Sequence, residues 1–343
     1  LKENGEINWS YEMDIFVGLT ERATNMLIDG ENLVIVGNSD VSNGVVQNFI
    51  LKFSLITNTI SWSRVYSGFP FSTSYFTGVL NSEDSYFVLG QTQENSAPGL
   101  GCDALWLKVN KNSGSVIGSK NLNLGSCETY TSSIISTDGF IFSAGRFNYA
   151  GGGQNKFRGS LTKLDFNGNE IWSKLYSKNV ATEDARLYFQ SIAEDNGNLI
   201  IGGQGDLDGT STSSVDVLLV KTNLDGEIAW QKEIDIQGAS SELFSKVIVS
   251  NNGYYLMVNA LINSNNVYFI IKVDKNGNLI WSKRYGKQKF VKGNDILITS
   301  SNVFVVGETN GFGAGNDDIL IVKTDLEGNG LNEMCDILSP VNV

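Results

Sequence analysis

Three of the chain's six arginines, Arg146, Arg158 and Arg186, fall close together in the sequence with Tyr149, Glu183, Asp184 and Tyr188. Guanidinium forks bind carboxylates in bidentate fashion, and aromatic rings mixed with carboxylates suit hydroxylated ligands, so the set has the chemistry of a glycan site. A second group lies in the stretch GQGDLDGTSTSSVD, where Asp206, Asp208 and Asp216 offer hard oxygen ligands of the kind calcium takes. The full twelve-residue calcium-loop pattern is missing there. Cys102 and Cys127 are expected to form a disulfide, and closing a loop of about 25 residues contributes roughly 3 kcal/mol in the chain-entropy model. Such a bond implies an oxidising, extracellular compartment. Cys335 is left over, as an intermolecular link, a partner to something outside this segment or a free thiol. Phe69-Pro70-Phe71 and Lys287, Lys289 and Lys292 are further surface candidates. The chain has no histidine, which removes the usual general base and the usual zinc ligand together. Neither a catalytic residue nor a cofactor other than calcium is expected.

The elements that must hold these residues are legible as a repeat. A lysine, a turn and a tryptophan recur in KVDKNGNLIWSKRYG (from Lys272), KTNLDGEIAWQKEID (from Lys221) and KLDFNGNEIWSKLYS (from Lys163), more loosely from Lys108 and Lys52, and in part from Lys323. Each unit carries four short strand-like runs, as in SKVIVS, YYLMVNA, VYFIIKV and NLIWSKRY of the fifth. Four strands in about 50 residues, repeated, are the mark of propeller blades, which must stack because one blade cannot bury both of its faces. The spacing predicts an all-β, six-bladed β-propeller of four antiparallel strands per blade, a single domain over 1–343. Its blades run at about 24–66, 77–122, 131–176, 189–234, 245–285 and 294–325 plus 5–12. The sixth unit lacks a fourth strand, and GEINW at 5–9 matches GEIAW at 226–230, so the N-terminal strand is expected to complete the last blade and close the ring beside ILIVKT. The competing reading starts Leu1 in mid-blade within a longer chain.

Within each hairpin the lysine is expected diagonal to the tryptophan on one face, with its stem along the indole. The motif residues are then structural: Lys52, Lys108, Lys163, Lys221, Lys272 and Lys323, with Trp9, Trp62, Trp106, Trp172, Trp230 and Trp281. In the second unit Gly118 takes the tryptophan position and Trp106 lies opposite, covering the glycine backbone. Glycines ending the second strands at 37, 90, 145, 203 and 307, with Asn259 in the remaining copy, suit a bulge or a close approach of backbones. The short turns share one face of the ring. The longer second-to-third loops and blade connections share the other, which is where a site is expected.

A net charge of −12 argues against nucleic acid and anionic membranes as partners. No run of 18 apolar residues suggests membrane insertion. The repeat K-x-D-x-x-G-x-x-x-W-x-x-x-x-G resembles the blade repeats of secreted and cell-surface β-propeller proteins of bacteria and archaea, and is similar to the turn-plus-tryptophan motif of pyrroloquinoline-quinone propellers. That resemblance implies an exported module. The quinone-dependent sugar dehydrogenases would imply a histidine base, which this chain lacks. Sialidase-like propellers would show S-x-D-x-G-x-x-W boxes, and Asp165-Phe166-Asn167-Gly168 leading to Trp172 is spaced differently. The expectation is a non-enzymatic extracellular or cell-surface binding or adhesion scaffold that recognises glycan or a surface protein through the long-loop face. The alternatives are a self-assembling subunit of a surface layer or filament and, third, a glycan-cleaving enzyme.

Overall fold

The computed structural model describes residues 20–40, 46–66, 73–93, 102–122, 127–149, 156–177, 186–205, 215–286, 290–311, 317–330 and 341–342. These residues contain strands and no helix. Blade 1 is β1 (Thr20–Asp29), β2 (Asn32–Asp40), β3 (Gln47–Ser54) and β4 (Thr59–Tyr66); blade 2 is β5 (Thr73–Asn81), β6 (Ser85–Gln93), β7 (Cys102–Asn110) and β8 (Val116–Leu122). Blade 3 is β9 (Cys127–Ile135), β10 (Ile141–Tyr149), β11 (Lys156–Leu164) and β12 (Glu170–Tyr176); blade 4 is β13 (Leu187–Asp195), β14 (Asn198–Gly205), β15 (Asp216–Asn223) and β16 (Ile228–Ile236). Blade 5 is β17 (Ala239–Ser250), β18 (Gly253–Ile262), β19 (Asn265–Val273) and β20 (Leu279–Tyr285). A three-stranded sheet of β21 (Val291–Ile298), β22 (Asn302–Thr309) and β23 (Asp318–Asp325) follows, and a short β24 (Val341–Asn342) pairs with β16. Each sheet of blades 1 to 5 is an antiparallel meander in sequence order.

The described residues form two compact units, one of blades 1 and 2 and one of Cys102–Ala104 together with everything from Leu122 onward. In the first unit, Val34, Val36, Ile50 and Trp62 pack against Phe76, Tyr86, Val88 and Leu105. In the second, three successive cores lie between blades 3 and 4, blades 4 and 5, and blade 5 and the three-stranded sheet. Middle strands lie between neighbours on both faces and so read as unbroken apolar runs, whereas the fourth strands are mostly exposed, as the pattern of β4 shows.

The repeated motif joins one blade to the next. The turns between third and fourth strands place a glycine at positive φ, at Gly114, Gly168, Gly226, Gly277 and Gly328, and at all of these except Gly168 the tryptophan of the preceding blade lies against it. A Cβ on Gly114, Gly226, Gly277 or Gly328 would come within about 3 Å of Trp62, Trp172, Trp230 and Trp281 respectively. Four residues beyond three of the tryptophans, a tyrosine hydroxyl donates to the same glycine's carbonyl: Tyr66 to Gly114 (2.5 Å), Tyr176 to Gly226 (2.7 Å) and Tyr285 to Gly328 (2.8 Å).

The register differs from the expected one. Lys52, Lys163, Lys221 and Lys272 lie directly opposite Trp62, Trp172, Trp230 and Trp281, not diagonal to them, because a bulge follows the lysine in each hairpin. The ammonium groups then lie over rings other than the indole: Lys163 over Phe142, Lys272 over Tyr255 and Lys323 over Phe304, each facing its second-strand partner. Where that partner is aliphatic, Val34 or Ile200, the ring comes from the next blade, with Tyr86 over Lys52 and Tyr254 over Lys221. Lys108 lies over Phe87. In the second unit of the repeat, the indole of Trp106 covers Gly118, 3.2 Å from where a Cβ would stand.

The glycines ending the second strands do face bulges. Each first strand carries an extra residue opposite that position, and a Cβ on Gly37, Gly90, Gly145, Gly203 or Gly307 would lie within 1.8–2.2 Å of a first-strand carbonyl. Asn259 takes the position in blade 5 and uses its amide, bonding Ser245 Oγ and the Gly293 carbonyl and accepting from the Gly293 N–H. Bulge hydroxyls also tie neighbours together: Thr24 donates to the Phe76 carbonyl (2.7 Å) and Thr131 to that of Phe189 (2.6 Å).

Cys102 and Cys127 are disulfide-bonded, with Cα atoms 4.3 Å apart, because β9 returns parallel to the start of β7. Trp9, the strand expected at 5–12 and Cys335 lie outside the described residues.

Candidate functional site

At the start of β17, Glu242 is buried at 2% exposure, and its N–H donates to the Val215 carbonyl (2.9 Å). The chain reaches this position through a two-residue turn after β16, with Gly238 at positive φ, so the blade connection here is short where a long loop was expected. Ile234 and Ile236 point inward, which turns the intervening Asp235 out to solvent. The Ile236 N–H donates to Glu242 Oε1 (3.1 Å). Asp216, at the first position of β15, completes a group in which one oxygen each of Asp216, Asp235 and Glu242 lies within 4.8 Å of the others. Burial, followed by the negative charges of Asp216 and Asp235, pushes the Glu242 carboxyl up to about 8, against one stabilising bond from Ile236. At neutral pH this carboxyl keeps its proton and shares it with Asp216. The arrangement is a proton donor set beside two carboxylates, two of them reached from solvent.

Of the residues singled out for calcium, Asp216 is in this group, while Asp206 and Asp208 lie outside the described residues. Asp216, Asp235 and Glu242 are also the set whose oxygens are close enough to hold a cation among the described residues, at the cost of the Glu242 proton. Sequence reasoning missed Asp235 and Glu242. Aligning the first strands on their bulges puts Glu21, Glu128 and Glu242 at one position, two residues before the bulge-flanking Ala23, Tyr130 and Phe244.

The arginine set is partly assembled. Arg146, on β10, lies with its guanidinium 5.5 Å from the Phe157 ring and 5.7 Å from that of Tyr188, and those two rings are 4.8 Å apart. Burial pushes the Tyr188 hydroxyl up, while Arg186 and Arg146 pull it back, so both cations act on the same hydroxyl. Phe157 was not singled out from sequence. Arg158 follows Phe157 on β11 and faces the other side of the blade. Tyr149 pairs with Lys156 at the end of β10, and Glu183 and Asp184 lie outside the described residues. Of the other surface candidates, Lys292 pairs with Glu308 (3.0 Å); Phe69-Pro70-Phe71, Lys287 and Lys289 lie outside the described residues.

Gln204 connects the two groups. It is the register partner of Tyr188, and its Oε1 accepts from the Phe244 N–H (2.6 Å), two residues beyond Glu242. A separate cleft of about 320 Å³ lies between blades 3 and 4, lined by Tyr176, Leu187, Leu218, Val220, Gln231 and Glu233. It is of mixed polarity and shares no residue with the carboxylate group.

No family model matches the chain, and no curated protein does. Solved structures do. A neuraminidase-like protein of A/little yellow-shouldered bat/Guatemala matches over 88% of this chain and 94% of its own at 10% identity, with a TM-score of 0.52. A mutant of Trypanosoma rangeli sialidase displaying trans-sialidase activity matches over 88% of this chain and 54% of its own at 9% identity, with a TM-score of 0.50. A polysaccharide lyase matches over 94% and 92% at 9% identity, with a TM-score of 0.48. Likeness at this identity concerns the fold, and it supports the propeller type read from the repeat. It also corrects the expectation of a non-enzymatic scaffold and of a chain that is no enzyme: one of the proteins that share this fold is a sialidase, an enzyme by name.

Proposed function

We propose that the chain is a glycan-cleaving enzyme that uses Glu242 as proton donor and Asp216 as its partner carboxylate. The observation that carries this reading is the cluster of three carboxyl groups with oxygens within 4.8 Å of one another, of which Glu242 is buried and pushed up to about 8. Glycosidic cleavage needs that pair of states: an acid to protonate the leaving oxygen and a carboxylate to act at the anomeric carbon. Glu242 gives its proton to the bridging oxygen as the carbon–oxygen bond breaks. Water then supplies hydroxyl to the sugar and returns a proton to Glu242. With Asp216 as the nucleophile, its bond to the anomeric carbon forms as the bridging bond breaks and is then hydrolysed, so the configuration is retained. No histidine is required, which fits a chain that has none. Release of reducing ends from a panel of polysaccharides tests the reading, with proton NMR of the first product expected to show the anomeric configuration of the substrate. Inversion would remove Asp216 from the nucleophile's role.

The scaffold proposed for this site is a single six-bladed propeller over 1–343, with residues 5–12 as the fourth strand of the last blade. Among the described residues the last sheet has three strands, and Ile319 (85% exposed) and Ile321 (44%) lie uncovered on β23. Met26 and Ile28 are uncovered on β1, on the face opposite the core side of Leu27. A strand beside β23 would cover Ile319 and Ile321. The Cys102–Cys127 bond fits an oxidising compartment, which supports an extracellular or cell-surface location and a glycan of that environment as substrate.

A further inference from the structure

Arg146 is half-buried, and no carboxylate lies within ion-pair distance of it among the described residues. Acidic residues outnumber basic ones 37 to 25 in this chain, so a half-buried guanidinium without one is the less expected outcome. The guanidinium of Arg146 lies over the Phe157 and Tyr188 rings, an arrangement that a planar, delocalised cation favours. Arg186 brings a second positive charge to the Tyr188 hydroxyl. Two cations and a phenol converge, and among the described residues no carboxylate pairs with either cation.

We propose that Arg146, Arg186 and Tyr188 form a subsite for the carboxylate of an acidic sugar unit, so that the substrate is a uronic-acid-type glycan. This rests on the glycan-cleaving reading and deepens it. Leu187, Gly205 and Asp216 form one register row across blade 4, and two strand spacings of about 4.8 Å place the Arg186–Tyr188 end about 10 Å from the Asp216 end. One oligosaccharide laid along that row reaches both groups. A carboxylate is favoured over a hydroxyl because the fork meets two oxygens at once, and charge-assisted bonds are about twice as strong as neutral ones.

The test is calorimetric titration of the full chain with trimeric uronides and with their methyl esters, which keep the sugar and remove the charge. The acids should bind at least about tenfold tighter than the esters. That preference should disappear in Arg146→Met and shrink in Arg186→Gln, whose exposed side chain carries little folding risk, and it should persist in Glu242→Gln. Equal binding of acid and ester, binding of neither, or an unchanged preference in both arginine variants overturns the subsite. Displacement of the uronide by equimolar inorganic phosphate also overturns it, since the site would then recognise a bare anion. The two readings fail separately: cleavage of neutral glycans without acid preference leaves the enzyme and removes the subsite. Arginine-dependent acid binding without cleavage of any uronide leaves the subsite and removes the enzyme.

Discussion

Glu242 and Lys272 are both buried, and among the described residues neither has an ion-pair partner. Their pH demands follow from that. Glu242 keeps its proton up to about pH 8 when folded but loses it near 4.5 when unfolded, so the native state binds more protons between those values. Its contribution to stability therefore falls as pH rises from about 4.5 to 8 and stays low above. Glu242→Gln should flatten that slope and raise the melting temperature at pH 8.5, as a thermal melt will read. A lower melting temperature there would mean that Glu242 is charged and paired. Lys272 behaves in the opposite way: burial first, then Lys275, lowers it to about 8 from 10.5, so stability rises with pH across that window. The carboxylates that partner Lys52 and Lys221, Asp29 and Asp195, end the first strands of their blades, and Ser250 occupies that position in blade 5. Ser250→Asp should raise the Lys272 pKa and add about 1 kcal/mol at pH 7. Chemical denaturation at pH 7 and pH 10 tests this, with the gain expected at pH 7 alone. At this scale the sequence was least informative, because Asp235 and Glu242 are separated from Asp216 by the length of a hairpin. Their nearness depends on which of two alternating faces each strand turns inward.

The hairpins were the most legible elements. A turn that closes on a glycine at positive φ, after an Asp or Asn whose side chain accepts the turn's own N–H groups, is specified by local chemistry alone, as at Asp165, Asn223, Asp274 and Asp325. The lysine–tryptophan pairing was legible in kind but misplaced by one step, since a bulge beyond the lysine leaves no trace in residue type. Nor could the hairpin alone reveal that Trp62, Trp172, Trp230 and Trp281 each serve the following sheet. That role gives the motif its cost. Trp62→Ala should remove about 3 kcal/mol through the contact with Gly114, and Tyr285→Phe about 1 kcal/mol through its bond to the Gly328 carbonyl. Urea denaturation reads both, and a cost below 0.5 kcal/mol for Trp62→Ala would show that the blades do not depend on it. Gly145→Ala, whose Cβ would meet the Thr129 carbonyl at 1.8 Å, should cost more than Gly139→Ala, where nothing lies within 4 Å and only the φ of +81° is strained.

At the scale of the whole molecule, the period of the lysines made the all-β propeller type readable. Activity was not readable, because an absent histidine excludes one kind of catalyst and is silent about carboxylates. Deleting residues 1–12 should lower the melting temperature by several degrees if they complete the last blade, and leave it unchanged if the chain begins in mid-blade. The claim on which the functional account depends is that Glu242 delivers a proton to a glycosidic bond. Reducing-end release from uronic-acid-containing polysaccharides, measured for the parent chain and for Glu242→Gln at matched folding, tests it most directly. The account predicts turnover by the parent and a loss of at least about a hundredfold in the variant; equal rates in the two proteins, or no cleavage of any glycan by the parent, would contradict it.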